Sequence, residues 1–225
     1  DQSMRELFWL LRERRQDLAW GVATGRSLEL TLDAMTVHNF PMPDILICSV
    51  GTEIYYGPDL RHDRSWQQHI SYQWKAEAIK EALSSFEFLV FQEAEGQRSH
   101  KISYYLEEKG GRLKSIQEVL KQNRLRCQTI YSHGQFLDIL PIRASKGKAI
   151  DYIRYKFDFS ARQVMVAGDS GNDEDMIASA ARGLVVGNHS EELDKLRRKP
   201  NIYFSPETYA AGIIDGLKHY GFLSS

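Results

Sequence analysis

The chain has 225 residues, of which 42% are hydrophobic, and a formal net charge of −1. A chain of this length can bury one sizeable core, or a core with a smaller appended domain. The near-neutral charge excludes a strongly basic surface for nucleic acid or an anionic membrane, and no apolar run approaches the ~20 residues that a membrane span needs. The N-terminus lacks a signal-peptide layout, and Cys48 and Cys127 are far apart without histidine at ligand spacing. We therefore expect a cytoplasmic protein with reduced thiols and a small-molecule ligand, with neither nucleic acid nor membrane as a partner.

The first 60 residues alternate between helical and extended patterns. Hydrophobic periodicity predicts, in order, a helix over 4–14, a strand over 18–23, a helix over 27–37 and a buried strand over 44–49. This alternation is typical of βαβ units, whose right-handed crossovers make the sheet parallel.

The middle of the chain follows a different pattern. The predicted elements are a helix over 72–86, strands over 88–92 and 101–106, a helix over 112–122, and a hairpin of strands 125–132 and 136–140. The turn of that hairpin is Ser132-His133-Gly134-Gln135. The αββαββ order indicates an inserted domain over residues 61–140, with residues 1–60 and 141–225 forming one core.

Alternation returns after this insert. The predicted elements are a helix over 147–157, a strand over 163–167, a helix over 172–180, a strand over 183–186, a helix over 190–197, a strand over 201–204 and a helix over 207–220. The predicted fold class is therefore α/β, a Rossmann-like core with a parallel sheet plus an inserted α+β domain.

The stretch from Val166 to Met176 carries the strongest functional signal. A short apolar strand ends at Gly168, and Asp169, Ser170, Asn172 and Asp173 follow on a loop that opens a helix. Open α/β sheets bind ligands at the carboxyl ends of their strands, and these oxygen donors suit Mg²⁺. An acidic N-terminal cap on a surface helix is the alternative interpretation.

Two further turns have the same position at the end of a strand. Thr24-Gly25-Arg26-Ser27 combines a hydroxyl, a glycine and a helix start, which together can hold phosphate oxygens. Ser145-Lys146-Gly147-Lys148 opens a helix with a lysine that can neutralise phosphate. Taken singly, an ordinary capped turn and a solvated lysine explain the two patterns equally well. Their occurrence in order with the acidic loop favours a common site.

These residues carry a family resemblance. Thr24 in VATGRS, Lys146 in SKGKA, and Asp169 with Asp173 in GDSGNDEDM resemble motifs II, III and IV of the haloacid dehalogenase (HAD) superfamily of phosphatases. The insert resembles the type C2 cap of that superfamily. The segments SVGTEIYYG, HKISYYL and GLKHYGFL resemble the sucrose-6-phosphate phosphatase family, including the phosphatase-like domain of bacterial sucrose-phosphate synthases.

The resemblance implies a Mg²⁺-dependent sugar-phosphate phosphatase that hydrolyses sucrose-6-phosphate through an aspartyl-phosphate. It implies that Asp169 binds the metal directly and that Asp173 completes the metal site as an outer partner that orients bound waters and Lys146. The implied phosphate-binding residues, besides Lys146, are Thr24, Gly25, Arg26 and Asn172.

Three residues are candidate sugar contacts. Lys101 and Ser103 lie on a predicted strand of the cap, and Glu53 lies on the loop after a core strand. A solvated strand face explains all three equally well.

In the HAD superfamily, motif I (DxDxT) supplies the nucleophile. The 225 residues of this chain do not contain that motif. Asp1-Gln2 resembles the residues just after this motif, and neither Asp44 nor Asp138 is placed to replace it. We therefore expect the 225 residues alone not to hydrolyse phosphate esters. Two alternatives stay open. One is a non-catalytic module that binds sucrose phosphate or packs against a fused or associated glycosyltransferase. The other is a phosphatase for a different sugar phosphate.

Overall fold

The computed structural model describes residues 2–179 and 181–223, and its helices and strands follow the predicted alternation. The helices are α1 (Gln2–Glu13), α2 (Leu28–Val37), α3 (Arg64–Ile70), α4 (Ala76–Leu83), α5 (Arg112–Gln122), α6 (Lys146–Lys156), α7 (Glu174–Ile177) and α8 (Tyr209–His219). The strands are β1 (Gly21–Ala23), β2 (Ile45–Cys48), β3 (Glu53–Tyr56), β4 (Arg61–His62), β5 (Val90–Phe91), β6 (Ile102–Tyr105), β7 (Cys127–Ser132), β8 (Phe136–Pro141), β9 (Met165–Gly168), β10 (Arg182–Val185) and β11 (Ile202–Phe204).

The helix predicted over 72–86 is the shorter α4, and two other predicted helices differ from the structure in helix type. The segment predicted as a helix over 172–180 is a 3₁₀ turn, Gly171–Asp173, followed by the short α7, and Ala180 lies outside the described residues, as does Asp1. Residues Glu191–Arg198 form a 3₁₀ helix where an α-helix over 190–197 was predicted. The apolar spacing of a short segment does not separate the two helix types, because residues three apart share a face in both.

The core strands form two sheets. In the first, β1 and β2 pair in parallel, and β3 and β4 continue the sheet in antiparallel fashion. In the second, β9, β10 and β11 are all parallel, with β10 in the centre. The prediction of parallel core strands is confirmed for these five, whereas β3, β4 and α3 were not predicted. Ala23 of β1 packs against the apolar cluster that contains Val166 of β9, which brings the two sheets together.

The inserted elements α4, β5, β6, α5, β7 and β8 have the predicted αββαββ order. Their strands form a separate antiparallel sheet in the order β5-β6-β8-β7, and α4 and α5 pack on it around their own apolar cluster, which includes Ile79, Ile116 and Ile139. We call residues 76–141 the cap and the other described residues the core.

The predicted domain boundary at residue 61 stays a prediction, and the packing of α3 favours a later one. Trp66 and Ile70 of α3 pack with Ile47 and Ile54 of the first core sheet. We therefore propose that the first crossing into the cap lies over residues 71–75.

The two crossings between core and cap contact each other. Arg143, in the second crossing, places its guanidinium 4.2 Å from the ring centre of Tyr72 in the first. In addition, Nη1 of Arg126 in the cap donates a hydrogen bond to Oε1 of Gln73 in the first crossing, at 2.9 Å.

Two remaining sequence expectations concern the thiols and the membrane. Cys48 and Cys127 are both free thiols. Through residues 2–179 and 181–223, every helix is too short or too polar to cross a bilayer.

Candidate functional site

The acidic loop after β9 is a tight turn that buries one of its carboxylates. The Asp173 side chain folds back, so that its Oδ2 accepts hydrogen bonds from the backbone N–H groups of Asp169 (3.2 Å) and Ser170 (3.4 Å). Gly168 makes room for it, since a Cβ at that position would lie 2.5 Å from the Cβ of Asp173. Asp173 is consequently only 7% exposed.

Lys146 supplies the positive charge that this buried carboxylate needs. Its Nζ lies 2.7 Å from Asp173 Oδ1 and 2.8 Å from Asn172 Oδ1, and the residue is 3% exposed. Lys146 is fixed there because Ser145 caps the start of α6, with its Oγ accepting from the N–H of Lys148 at 3.1 Å. Removing one member of such a buried pair is costly, because the other charge is left without a partner.

Asp169 is the exposed carboxylate of the loop. Desolvation and the neighbouring Asp173 raise its pKa above the ordinary value, whereas Lys146 and His133 act to lower it. His133 belongs to the hairpin turn of the cap, and β7, the strand that leads into this turn, contacts the 3₁₀ turn Gly171–Asp173. The cap therefore reaches the acidic loop. A cation beside Asp169 would favour the charged form of this carboxylate.

The arrangement fits one class of metal site and not another. Among the described residues, no group of three or more His, Cys, Asp or Glu side chains could hold a metal ion. Mg²⁺ does not need such a cage, because one or two carboxylates, waters and substrate phosphate usually complete its shell. Asp169 fits the direct ligand. Both oxygens of Asp173 already accept hydrogen bonds, which favours the outer role for that residue.

The turn after β1 lies beside the start of α6. Thr24 Oγ1 accepts from the N–H of Arg26 at 3.2 Å, and Ser27 caps α2. The turn is held by the loop Ser49–Gly51, since Val50 N–H donates to Thr24 O (3.0 Å) and Ser49 N–H to Arg26 O (2.7 Å).

Gly51 of this loop packs against α6. Its φ is +88°, and a Cβ there would lie 2.3 Å from the carbonyl carbon of Ser145 and 2.6 Å from the backbone nitrogen of Lys146. The Thr24 turn and the Lys146 helix start are thereby brought to the same end of the core.

The cap contributes a buried polar cluster. Lys101 Nζ lies 2.9 Å from Ser103 Oγ and 3.4 Å from Asp138 Oδ1, and Ser103 Oγ donates to the same carboxylate. Ser103 and Asp138 are directly opposite each other in the pairing of β6 with β8. The alternative of a solvated strand face is wrong for Lys101 and Ser103, which are 5% and 0% exposed.

Glu53 is connected to this cluster through one cap residue. Its Oε2 accepts from Ser49 Oγ at 2.8 Å and lies 3.9 Å from Nε of Arg98. Arg98 precedes Lys101 on the same loop. Sequence reasoning missed Arg98, Asp138 and His133 as site residues, and only Asp138 had a visible signal, an acid within the apolar strand FLDILP.

Comparisons with known proteins identify relatives of this chain. The sequence matches the sucrose-6F-phosphate phosphohydrolase family over residues 1–221. It is 33% identical to sucrose-phosphatase 1 of Nicotiana tabacum over 209 residues, which cover 88% of this chain and 49% of that protein. The chain thus spans about half the length of the plant sucrose-phosphatases that it matches.

Solved structures give the same family and fold. The sucrose-phosphatase of Synechocystis sp. PCC6803, in complex with sucrose and phosphate, superposes with a TM-score of 0.93 at 30% identity, covering 99% of this chain and 93% of that one. A subclass IIB sugar phosphatase of the HAD superfamily has a TM-score of 0.70 at 19% identity, covering 99% and 92%, which shows a shared fold. The chain therefore belongs to the sucrose-6F-phosphate phosphohydrolase family.

Proposed function

We propose that this chain supplies the substrate, phosphate and metal sites of a sucrose-6-phosphate phosphatase, which gives sucrose and phosphate through an aspartyl-phosphate on the motif I aspartate that these 225 residues do not contain. The observation that carries the proposal is the buried Lys146, held by Asn172 and Asp173 beside the exposed carboxylate of Asp169. Family membership and the sucrose and phosphate bound by the Synechocystis relative support the substrate class.

At the phosphate end, each residue has a separate task. Lys146 neutralises phosphoryl oxygens, and Asp173 holds its ammonium in place. Thr24 Oγ1 already accepts a hydrogen bond from the N–H of Arg26, so its own proton is available to donate to a phosphate oxygen. The Gly25 amide and Asn172 complete the proposed cradle. Mg²⁺, when bound at Asp169, supplies further neutralisation of the phosphoryl charge.

At the sugar end, Lys101 offers its remaining ammonium N–H as a donor, and Ser103 and Asp138 orient that ammonium through their hydrogen bonds. Glu53 offers a carboxylate from the core. Hydroxyl groups of a disaccharide need both donors and acceptors, which this set provides. Association with a glycosyltransferase stays a prediction. We also propose a cytoplasmic location, which the two free thiols support.

The metal assignment is tested with Asp169→Asn and calorimetric titration of Mg²⁺. Loss of the only exposed carboxylate proposed as a direct ligand should abolish measurable Mg²⁺ binding. The matched control is Glu174→Gln, which removes an acid five residues later in the same segment that pairs with Lys195 at 2.7 Å. The control should bind as the wild type does, and unchanged Mg²⁺ affinity in Asp169→Asn would contradict the assignment.

The substrate assignment is tested by titrating sucrose-6-phosphate, sucrose and glucose-6-phosphate, and by measuring phosphate release from a protein in which motif I precedes this chain. Tighter binding of sucrose-6-phosphate than of glucose-6-phosphate, with phosphate release, is the expected result. Binding without release would favour the non-catalytic module, and preference for glucose-6-phosphate would favour a different sugar phosphate.

A further inference from the structure

Arg98 extends from the cap to two carboxylates of the core. Its Nη2 lies 2.6 Å from Glu29 Oε2, and its Nε lies 3.9 Å from Glu53 Oε2. Glu29 is in the first turn of α2, the helix that begins after the Thr24 turn, and Glu53 is the first residue of β3. One guanidinium therefore faces both α2, which follows the proposed phosphate-binding turn, and β3, which carries the proposed sugar contact Glu53.

The backbone of Arg98 is tied rigidly to the polar cluster of the cap. Its N–H donates to Lys101 O at 3.0 Å, and Lys101 N–H donates back to Arg98 O at 3.1 Å. The preceding residue, Gln97, bonds both backbone groups of Ser103, through Oε1 at 3.0 Å and Nε2 at 2.8 Å. A displacement of Arg98 would thus be transmitted to Lys101 and Ser103.

On the core side, Arg98 constrains the orientation of Glu53. Glu53 Oε2 is the oxygen that accepts from Ser49 Oγ and faces the guanidinium. Glu53 Oε2 thus accepts one hydrogen bond and lies near one positive charge, which leaves Oε1 to accept from a sugar hydroxyl.

We propose that Arg98 is a positioning residue that holds the cap against the core and orients Glu53 toward the sugar. The part that concerns the sugar rests on the proposed function. An isolated exposed ion pair contributes little, and Glu29 by itself would be such a partner, because its side chain is 73% exposed. The Arg98 side chain is only 21% exposed and faces a second carboxylate, so it acts as a junction between the two units.

The first test needs no ligand. Amide hydrogen exchange is measured over residues 97–103 in the wild type, Arg98→Ala, Arg98→Lys and Glu29→Gln. We expect about five-fold faster exchange in Arg98→Ala and a smaller increase in Arg98→Lys, since a lysine ammonium can satisfy one carboxylate but lacks the planar fork. The control is Lys109→Ala, which removes an exposed ion pair with Glu107 inside the cap and should leave this segment unchanged.

The second test separates positioning from general stability. Sucrose and inorganic phosphate are titrated separately against each variant. Arg98→Ala should weaken sucrose binding about five-fold and change phosphate binding less than about two-fold, because Lys146 and the Thr24 turn are untouched. Glu29→Gln should weaken sucrose binding less, since Glu53 keeps its guanidinium partner.

Each outcome decides a separate statement. Wild-type exchange in Arg98→Ala would overturn the contact between cap and core, and equal losses of sucrose and phosphate binding would overturn the orientation of Glu53. A wild-type protein that binds neither sucrose nor sucrose-6-phosphate would refute the proposed function and with it the sugar contact of Glu53. The exchange result would then still decide whether Arg98 holds the cap.

Discussion

The Lys146–Asp173 pair allows a quantitative test of the site. In Lys146→Met, the ammonium is replaced by an apolar group of similar length. Asp173 Oδ1 and Asn172 Oδ1 then both lose a donor that lies within 2.8 Å. Asp173 is only 7% exposed, so its carboxylate is left without a cationic partner. Leaving a buried charge unpaired costs about 3–5 kcal/mol of the free energy of unfolding.

Urea unfolding at neutral pH measures this loss directly. For a chain of this size the same loss corresponds to a fall in the melting temperature of about 10 °C. The control is Lys148→Ala on the same helix, whose exposed side chain donates to the Ile142 carbonyl at 2.6 Å. Its replacement should cost no more than about 1 kcal/mol. Lys146→Met should also lose phosphate binding, which Lys148→Ala should retain.

A double-mutant cycle identifies the source of the loss. Adding Asp173→Asn to Lys146→Met removes the unpaired charge, so the double variant should be more stable than the sum of the two single changes predicts, by about 1–3 kcal/mol. Additive changes, or a loss below about 1 kcal/mol in Lys146→Met, would refute the account of a buried, mutually dependent pair.

Two further predictions concern the core. Burial acts to raise the pKa of Asp63, but hydrogen bonds from Lys156, the Trp66 amide and Tyr56 lower it below the ordinary value. The contribution of Asp63 to the free energy of unfolding is therefore complete above the unfolded pKa of about 3.9. This contribution is lost as the pH falls through the lower pKa of the folded protein. Asp63→Asn should reduce stability at pH 7 by about 2 kcal/mol and flatten its pH dependence below pH 4 in urea unfolding, and an unchanged acid slope would contradict the assignment. Gly51→Ala should cost at least about 3 kcal/mol, because φ is +88° and the new Cβ meets the Ser145 backbone. Gly57→Ala, with φ +64° and open space around it, isolates the backbone strain at about 1 kcal/mol, and equal losses in both variants would refute the close packing of Gly51.

The order of elements was predictable where periodicity was long. The helix over 112–122 was predicted at its observed bounds, because its apolar positions recur over three turns. The strands β3 and β4 were not predicted, since they have four and two residues and depend on pairing with β2. Such short strands are specified by their neighbours rather than by their own pattern.

Some residues of the candidate site were likewise predictable from the sequence, and others were not. Thr24, Lys146 and Asp169 were predicted to share one end of the core, because each follows a strand and precedes a helix. Asp138 and Arg98 could not be placed in this way. Asp138 meets Ser103 only through the register of β6 with β8, and Arg98 meets Glu29 across 69 positions of sequence. The functional roles of all these residues stay predictions.

The adjacent crossings at Tyr72 and Arg143 have a consequence for how this protein can change. The cap enters and leaves the core at neighbouring points, so it occupies the topological position of a long loop. Its own apolar cluster makes it a self-contained unit. A short linker joining residue 71 directly to residue 144 would preserve the connectivity of both core sheets. The whole insert can therefore be exchanged while the end of the core that carries Thr24, Lys146 and Asp169 is kept.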